Sequence, residues 1–118
     1  MAAGTEVTIA LNGSISTAAK VPGGCYLESV VSNSSDWDNA DISFLISLDG
    51  GATYNDLYDH SGAVAYTVGV PTNGFSVKLD RDLHCLRGYV KIRSGTVASP
   101  VVQATAEQTL TLYFEPID

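Results

Sequence analysis

The sequence predicts an all-β protein: an antiparallel β-sandwich of jelly-roll type with seven or eight strands. Apolar and polar residues alternate at a period of two through most of the chain, and turn sequences rich in Gly and Asn separate the alternating runs. Almost no segment shows a helical period. Because 118 residues suffice for one such domain, we expect residues 1–118 to form a single β-sandwich, with residues 1–5 as a candidate flexible arm.

The alternating runs predict individual strands, each with one face toward a core and the other toward solvent or a partner. The clearest runs are residues 7–11, 42–48, 75–79, 90–93 and 110–115. Residues 25–32 and 63–70 predict further strands with a weaker pattern. Residues 101–108 follow Pro100, and their mildly helical pattern is too short for more than a loop or a single turn.

The composition indicates an ordered domain with an acidic, weakly charged surface. Hydrophobic residues make up 45% of the chain and charged residues 16%, and the formal net charge is −7. A negative chain lacks the basic face that binds phosphates, so we expect no nucleic-acid partner. With no apolar run of membrane-span length and no signal peptide, we expect synthesis and folding in a cytoplasm. Cys25 and Cys85 fit reduced thiols, although a bridge between them stays open.

Residues 47–54, SLDGGATY, match the Asp-box pattern S-x-D-x-G-x-T-W of sialidase propellers, with Tyr54 in the position of Trp. The motif follows an alternating run and precedes another strand, so it predicts the turn of a β-hairpin. Asp49 and Thr53 can accept hydrogen bonds from backbone N–H groups there. We therefore interpret the motif residues as structural. They are Ser47, Asp49, Gly51, Thr53 and Tyr54.

Other candidate sites are weak. The acidic residues Asp36, Asp38 and Asp41 depart from the order of an EF-hand calcium loop, and His60 and His84 lack zinc-ligand spacing. Asp56 and Asp59 do not stand out as a glycosidase pair. We predict no enzyme activity, no metal and no cofactor. The alternative to a chain without a binding site is a sugar-binding platform of aromatic residues. Its candidates are Trp37, Tyr54, Tyr58, Tyr66, Tyr89 and Tyr113.

Two segments carry a resemblance to a known group of proteins. Residues 37–59, from Trp37-x-x-Ala40-x-Ile42-Ser43-Phe44 to the hairpin SLDGGATYNDLYD, and residues 86–113, with LRGYVKIRSGTVASPVVQ, resemble small β-sandwich virion proteins of tailed bacteriophages. The matching motifs cover roughly half of the chain in order. The resemblance implies a virion structural protein, with a capsid decoration or cement protein as the leading role. A head-fibre base, a tail component or a glycan-binding module for host attachment is the alternative.

The resemblance also implies partners and a location. We expect assembly in the host bacterial cytoplasm into the virion, as a homo-oligomer that contacts the major capsid protein, copies of itself, or both. The chain's own residues suggest two contact surfaces: a terminal arm and a basic strand face. The candidate contact residues are Thr5, Val7, Ile9, Leu11, Lys78, Lys91 and Arg93. Residues 109–115 carry few charges and are a further candidate for pairing with a symmetry mate.

Overall fold

In a computed structural model that describes residues 4–58, 67–70, 74–79 and 88–116, the chain forms two antiparallel β-sheets packed together. The strands are β1 (Gly4–Ile9), β2 (Ala19–Lys20), β3 (Cys25–Val31), β4 (Ile42–Ser47), β5 (Asn55–Asp56), β6 (Thr67–Val68), β7 (Ser76–Lys78), β8 (Tyr89–Ser94) and β9 (Gln108–Pro116). The described residues contain no helix. The predicted all-β sandwich is confirmed, and the strand count exceeds the prediction because the two-residue strand β2, which pairs with β8, lies outside every predicted run.

The two sheets share the strands almost alternately along the chain. One sheet has the order β1-β9-β3-β7, and we call it the four-stranded sheet. The five-stranded sheet has the order β2-β8-β4-β5, with β6 also paired to β4. A jelly roll requires this alternation, but its connections through residues 59–66, 71–73 and 80–87 lie outside the described residues. The jelly-roll form therefore stays a prediction.

The core lies between the sheets and is built by the period-two pattern. Its most buried side chains, each at most 1% exposed, are Val7, Ile9, Leu27, Val30, Ile42, Phe44, Val90, Ile92, Leu110, Leu112 and Phe114. Trp37 adds to one end of the core, where its ring meets Phe75 edge-to-face at a centroid distance of 5.3 Å. Each such side chain contributes roughly 1.5–3 kcal/mol through burial, so the alternation itself supplies the driving force for the fold.

Two predicted strands end earlier than the alternation indicated. β1 stops at Ile9, and Leu11 is 52% exposed in the turn that follows, where Asn12 has a positive φ. β4 stops at Ser47, and Leu48 is 69% exposed. Both leucines continue the apolar period, but the strand ends before them, so their side chains do not enter the core. Turn chemistry overrides the period here.

The ends of the chain also depart from expectation. Residues 1–5 were a candidate arm, yet Gly4 and Thr5 begin β1 and pair with Tyr113 and Leu112; residues 1–3 lie outside the described ranges. β9 has β1 on one edge and β3 on the other. β1 covers residues 108–113 of β9 and β3 covers residues 111–116. Of the residues 109–115 predicted to pair with a symmetry mate, residues 111–113 therefore have a strand on both edges and are closed to that pairing.

The remaining predictions for loops, strands and cysteines are confirmed in part. Residues 101–107 form a loop, as predicted, and residues 25–32 contain β3. Of the predicted strand at 63–70, the described part contains only the two residues of β6. Cys25 is half-buried with a free thiol, while Cys85, His60 and His84 lie outside the described residues.

Candidate functional site

The Asp-box residues form a hydrogen-bonded turn between β4 and β5. Ser47 is fully buried at the end of β4, and its hydroxyl donates to Asp49 Oδ1 at 2.7 Å while accepting from the Gly51 N–H at 2.9 Å. The same Asp49 oxygen accepts from the Thr53 N–H at 2.9 Å. Gly50 and Gly51 have φ values of 77° and 94°, a region that L side chains rarely occupy. The motif thus closes a tight hairpin by bonds within the turn.

The turn keeps Asp49 ionised. The Ser47 hydroxyl, and after it the Thr53 N–H, lower the pKa of the Asp49 carboxyl because both donate to its charged form. A carboxylate held in that state accepts hydrogen bonds well and is a poor proton donor near neutral pH. Asp49 is therefore suited to stabilise the turn or to accept a hydrogen bond from a bound ligand.

Tyr54 joins the turn to the face of the five-stranded sheet. Its hydroxyl lies 3.5 Å from the position that a Cβ on Gly51 would take, so the ring runs beneath the turn. The Lys91 ammonium lies 4.3 Å from the ring centroid, within the range of a cation–π contact. The predicted contact residue Lys91 is consequently held over Tyr54 and only half-exposed.

A cavity of about 450 Å³ opens beside this turn. Ile46, Leu48 and Leu57 form its apolar wall. Asp49, Thr53, Asn55 and Asp56 supply the polar groups of its lining. An apolar wall with a few polar groups is the usual chemistry of a small-ligand pocket, and it also suits an inserted side chain from another protein.

The predicted contact residues of the terminal segment are not equivalent. Val7 and Ile9 are 1% and 0% exposed and face the core, so their side chains are unavailable to a partner. Thr5 is half-buried on the same side of β1, and Leu11 is exposed in the turn. The contact role predicted for the side chains of Val7 and Ile9 is wrong, because the period-two pattern places both side chains in the core.

Arg93 is likewise not part of an exposed basic face. It is 7% exposed, forms an ion pair with Asp56, and donates to Ser43 Oγ at 3.3 Å. The register of β8 with β4 sets Ser43 directly opposite Arg93. Lys78, on β7 of the other sheet, keeps its side chain 82% exposed and lies 3.4 Å from a Glu28 oxygen. The basic residues predicted as one face therefore belong to two sheets.

The sequence patterns do not predict the buried glutamines of this domain. Gln103 is fully buried; its Oε1 accepts from the Asp38 N–H at 2.8 Å, and its Nε2 donates to the Asp38 carbonyl at 3.1 Å and to Ser94 Oγ at 2.7 Å. We call this set, Gln103 with Asp38 and Ser94, the glutamine clamp. Gln103 is the last residue of the segment LRGYVKIRSGTVASPVVQ, but no period or residue pattern marks a glutamine in a loop as buried, so the sequence does not predict the clamp.

The acidic loop is fastened through the same clamp. The Asp38 carboxylate accepts from the N–H groups of Ala104 and Thr105 at 2.6 and 3.2 Å and from the Thr105 hydroxyl at 2.7 Å. The Thr105 hydroxyl, followed by the Ala104 N–H, lowers the pKa of Asp38. Asp38 thus ties two loops together across the sequence.

The clamped loops present an apolar end to solvent. Leu11, Ile15 and Val102 are 52%, 44% and 50% exposed. Backbone bonds hold this end in shape: Asn12 N–H donates to the Gln103 carbonyl and Gln103 N–H to the Gly13 carbonyl, each at 2.9 Å. We call Leu11, Ile15 and Val102 the apolar end.

Comparison with known proteins finds no match among protein-family models, curated proteins or solved structures. Within the described ranges, no helix is long and apolar enough to cross a membrane. Those same ranges contain no group of three or more His, Cys, Asp or Glu side chains arranged to hold a metal ion.

Proposed function

We propose that the chain is a structural protein of a tailed-phage virion, a decoration protein that binds the outer surface of the capsid and stabilises the head. The observation that carries the proposal is the apolar end. Contiguous exposed apolar patches mark contact surfaces, and the backbone bonds between residues 12–13 and 103 bring the turn of Leu11 beside the loop of Val102. The resemblance of residues 37–59 and 86–113 to virion proteins supplies the kind of partner.

The rigidity of the apolar end supports a permanent contact. Its loops are tied by the backbone bonds between Asn12, Gly13 and Gln103 and by the clamp beneath them. A surface that is already ordered loses little conformational entropy on binding, so even a small interface gains affinity. Many copies on one particle then add a modest contact repeatedly.

The direct test is reconstitution on particles stripped of this protein by mild denaturant. We expect Leu11→Ser to weaken rebinding to the shells, measured by co-sedimentation, and to lower the temperature at which DNA leaks from the reconstituted particles. Leu48→Ser is the matched control, since Leu48 is even more exposed but lies at the Asp-box turn. Equal rebinding of the wild type and Leu11→Ser, or absence of the protein from purified particles by mass spectrometry, would count against the proposal.

The cavity beside the Asp-box turn favours a second candidate, a glycan-binding module for host attachment. Its apolar wall of Ile46, Leu48 and Leu57 suits the hydrophobic face of a sugar ring. The polar lining residues Asp49, Thr53 and Asn55 suit sugar hydroxyls. Glycan-array binding by the purified chain that is lost in Asn55→Ala and retained in Leu11→Ser would support this candidate over decoration.

A further inference from the structure

Within the described residues, the outermost strands of the four-stranded sheet are β1 and β7. In an antiparallel strand, the N–H and C=O groups of alternate residues point to the same side. On β1, Thr8 turns its groups away from β9, since its N–H donates to Thr17 Oγ1 and its C=O accepts from the Thr17 N–H. Gly4 and Glu6 share that orientation. Among the described residues, nothing accepts from or donates to their outward groups.

β7 also directs the backbone groups of alternate residues away from its described neighbour. The Phe75 C=O accepts from Ser32 and the Leu79 N–H donates to Glu28, so these residues point toward β3. Ser76 and Lys78 therefore point their backbone groups outward. The described part of the chain supplies no backbone partner for them.

The two edges carry opposite charges on the same face. Glu6 is exposed on the outer face of β1, and Lys78 is exposed on the outer face of β7. Neither edge contains a proline. Charged edge residues normally keep sheets from pairing, because a like charge meets them in the partner. Here each edge instead offers the other its complement.

We propose that β1 of one copy pairs with β7 of a second copy and continues the four-stranded sheet. β1, β9, β3 and β7 alternate in direction, so β7 runs opposite to β1. A second copy rotated about an axis along the strands presents its β7 antiparallel to β1. Such head-to-tail contacts repeat from copy to copy and close into a ring when the rotation allows.

Backbone orientation restricts the register of this contact. Outward groups must face outward groups, and those of Thr8 are already bonded to Thr17. The register that uses the outward groups of both Ser76 and Lys78 therefore sets Gly4 opposite Lys78 and Glu6 opposite Ser76 of the second copy. Glu6 and Lys78 then lie diagonally, within reach of long side chains. The Tyr113 ring lies over Gly4, where a Cβ would approach its Cε1 to 3.1 Å, so the Lys78 stem packs against that ring.

The alternative pairing of β1 with β1 of a second copy brings Glu6 close to its own counterpart. Like charges across strands are destabilising, so charge selects the β1–β7 contact. Both edges are short, and the association is consequently weak for the free chain and effective where copies are concentrated on a surface. As an account of assembly on a particle, the inference rests on the proposed function, but its test needs only the purified chain.

The first test removes the outward donors without touching the sheet. Glu6→Pro and Ser76→Pro each delete an N–H that points away from the neighbouring strand, so the existing ladders stay intact. We expect the wild type to self-associate in sedimentation velocity at high concentration and both variants to stay monomeric. Ala98→Pro, in an exposed loop, is the control and associates like the wild type. A monomeric wild type, or association that survives both edge prolines, would overturn the proposal.

The second test exchanges the charges. Glu6→Lys and Lys78→Glu each set like charges together and weaken association about fivefold, while the double exchange restores it. Glu107→Lys changes the net charge equally at an exposed loop and leaves association unchanged. Folding is checked by thermal unfolding, since Lys78→Glu also loses its contact with Glu28. Association of Glu6→Lys equal to that of the wild type would point to β1–β1 pairing, where one like-charge pair only replaces another, and would overturn the proposal, whatever the fate of binding to capsids.

Discussion

The Asp-box turn and the glutamine clamp lie at opposite ends of β8 and stabilise loops by similar means. The turn starts at Ser47, which pairs with Tyr89, whereas the clamp holds Ser94. Both use a buried polar side chain with an aspartate. In the turn the partners are two to four residues apart, and in the clamp Gln103 and Asp38 are 65 residues apart. Similar chemistry is thus a local device at one end and a tertiary one at the other.

Local and tertiary hydrogen bonds differ in what their loss costs the fold. A turn with local bonds can form before the sheets pack, and its loss affects one hairpin. The clamp exists only in the packed domain, and it joins the acidic loop to the loop before β9. Losing the clamp should therefore cost more than losing the turn.

Gln103→Leu should have the largest effect. The change removes hydrogen bonds to both backbone groups of Asp38, which are part-buried, and to Ser94 Oγ, which is buried, and leaves all three without these partners. We expect the free energy of unfolding to fall by about 3 kcal/mol, because unsatisfied buried polar groups cost more than the lost bonds alone. Urea denaturation measures the change. A loss below that of Ser47→Ala would show that the tertiary clamp is not the stronger device.

Ser47→Ala should have an intermediate effect. The buried hydroxyl donates to Asp49 Oδ1 and accepts from the Gly51 N–H, so alanine removes both ends of that link. We expect a loss of about 1.5 kcal/mol in the free energy of unfolding, measured by the same urea titration. Ser47→Thr keeps the hydroxyl and serves as the control. If the alanine and threonine variants are equally destabilised, the effect comes from packing at this position and not from the hydroxyl.

Gln108→Leu is the matched substitution for Gln103→Leu and should cost less. Gln108 is also fully buried, and its Nε2 donates to the carbonyls of Asp36 and Ala106 at 3.0 and 3.3 Å. Its Oε1, however, is buried with no partner in the described part of the chain. Leucine removes that unsatisfied oxygen together with the bonds, so we expect a loss of about 1 kcal/mol or less. A loss equal to that of Gln103→Leu would mean that burial, not bonding, sets the cost.

The same contrast explains how much the sequence predicts. The period-two runs predict that Phe44, Ile92 and Leu112 lie in the core, and the segment SLDGGATY predicts its own turn. Both predictions succeed because each signal is contained in residues that are neighbours in the sequence. Arg93 and Gln103 carry no such signal. Arg93 stands at a strand position that alternation assigns to solvent, and only the arrival of Ser43 and Asp56 from other strands buries it. Contacts between segments that are distant in the sequence depend on how the strands pack, so local sequence patterns do not predict them.

The smallest effect should appear in the acid response of Asp49→Asn and Asp38→Asn. Hydrogen bonds to the charged form lower the pKa of both carboxyls in the folded chain, chiefly from Ser47 for Asp49 and from Thr105 for Asp38. The unfolded pKa of an aspartate is about 3.9. Each carboxylate therefore contributes stability that is fully present above that pH and is lost as the pH falls through the lower, folded value.

We expect both asparagine variants to unfold at a lower temperature than the wild type at pH 7, and this difference to shrink as the pH falls below about 4. The pH-dependent part should be smaller for Asp49, because its local turn forms partly in the unfolded chain and lowers the unfolded pKa as well. Asp38 has no such partner nearby, since Ala104 and Thr105 reach it only in the folded domain. Thermal unfolding between pH 7 and pH 3 measures both terms, with the exposed Asp36→Asn as the charge-matched control. A larger pH dependence for Asp49 than for Asp38 would contradict the division into a local and a tertiary device.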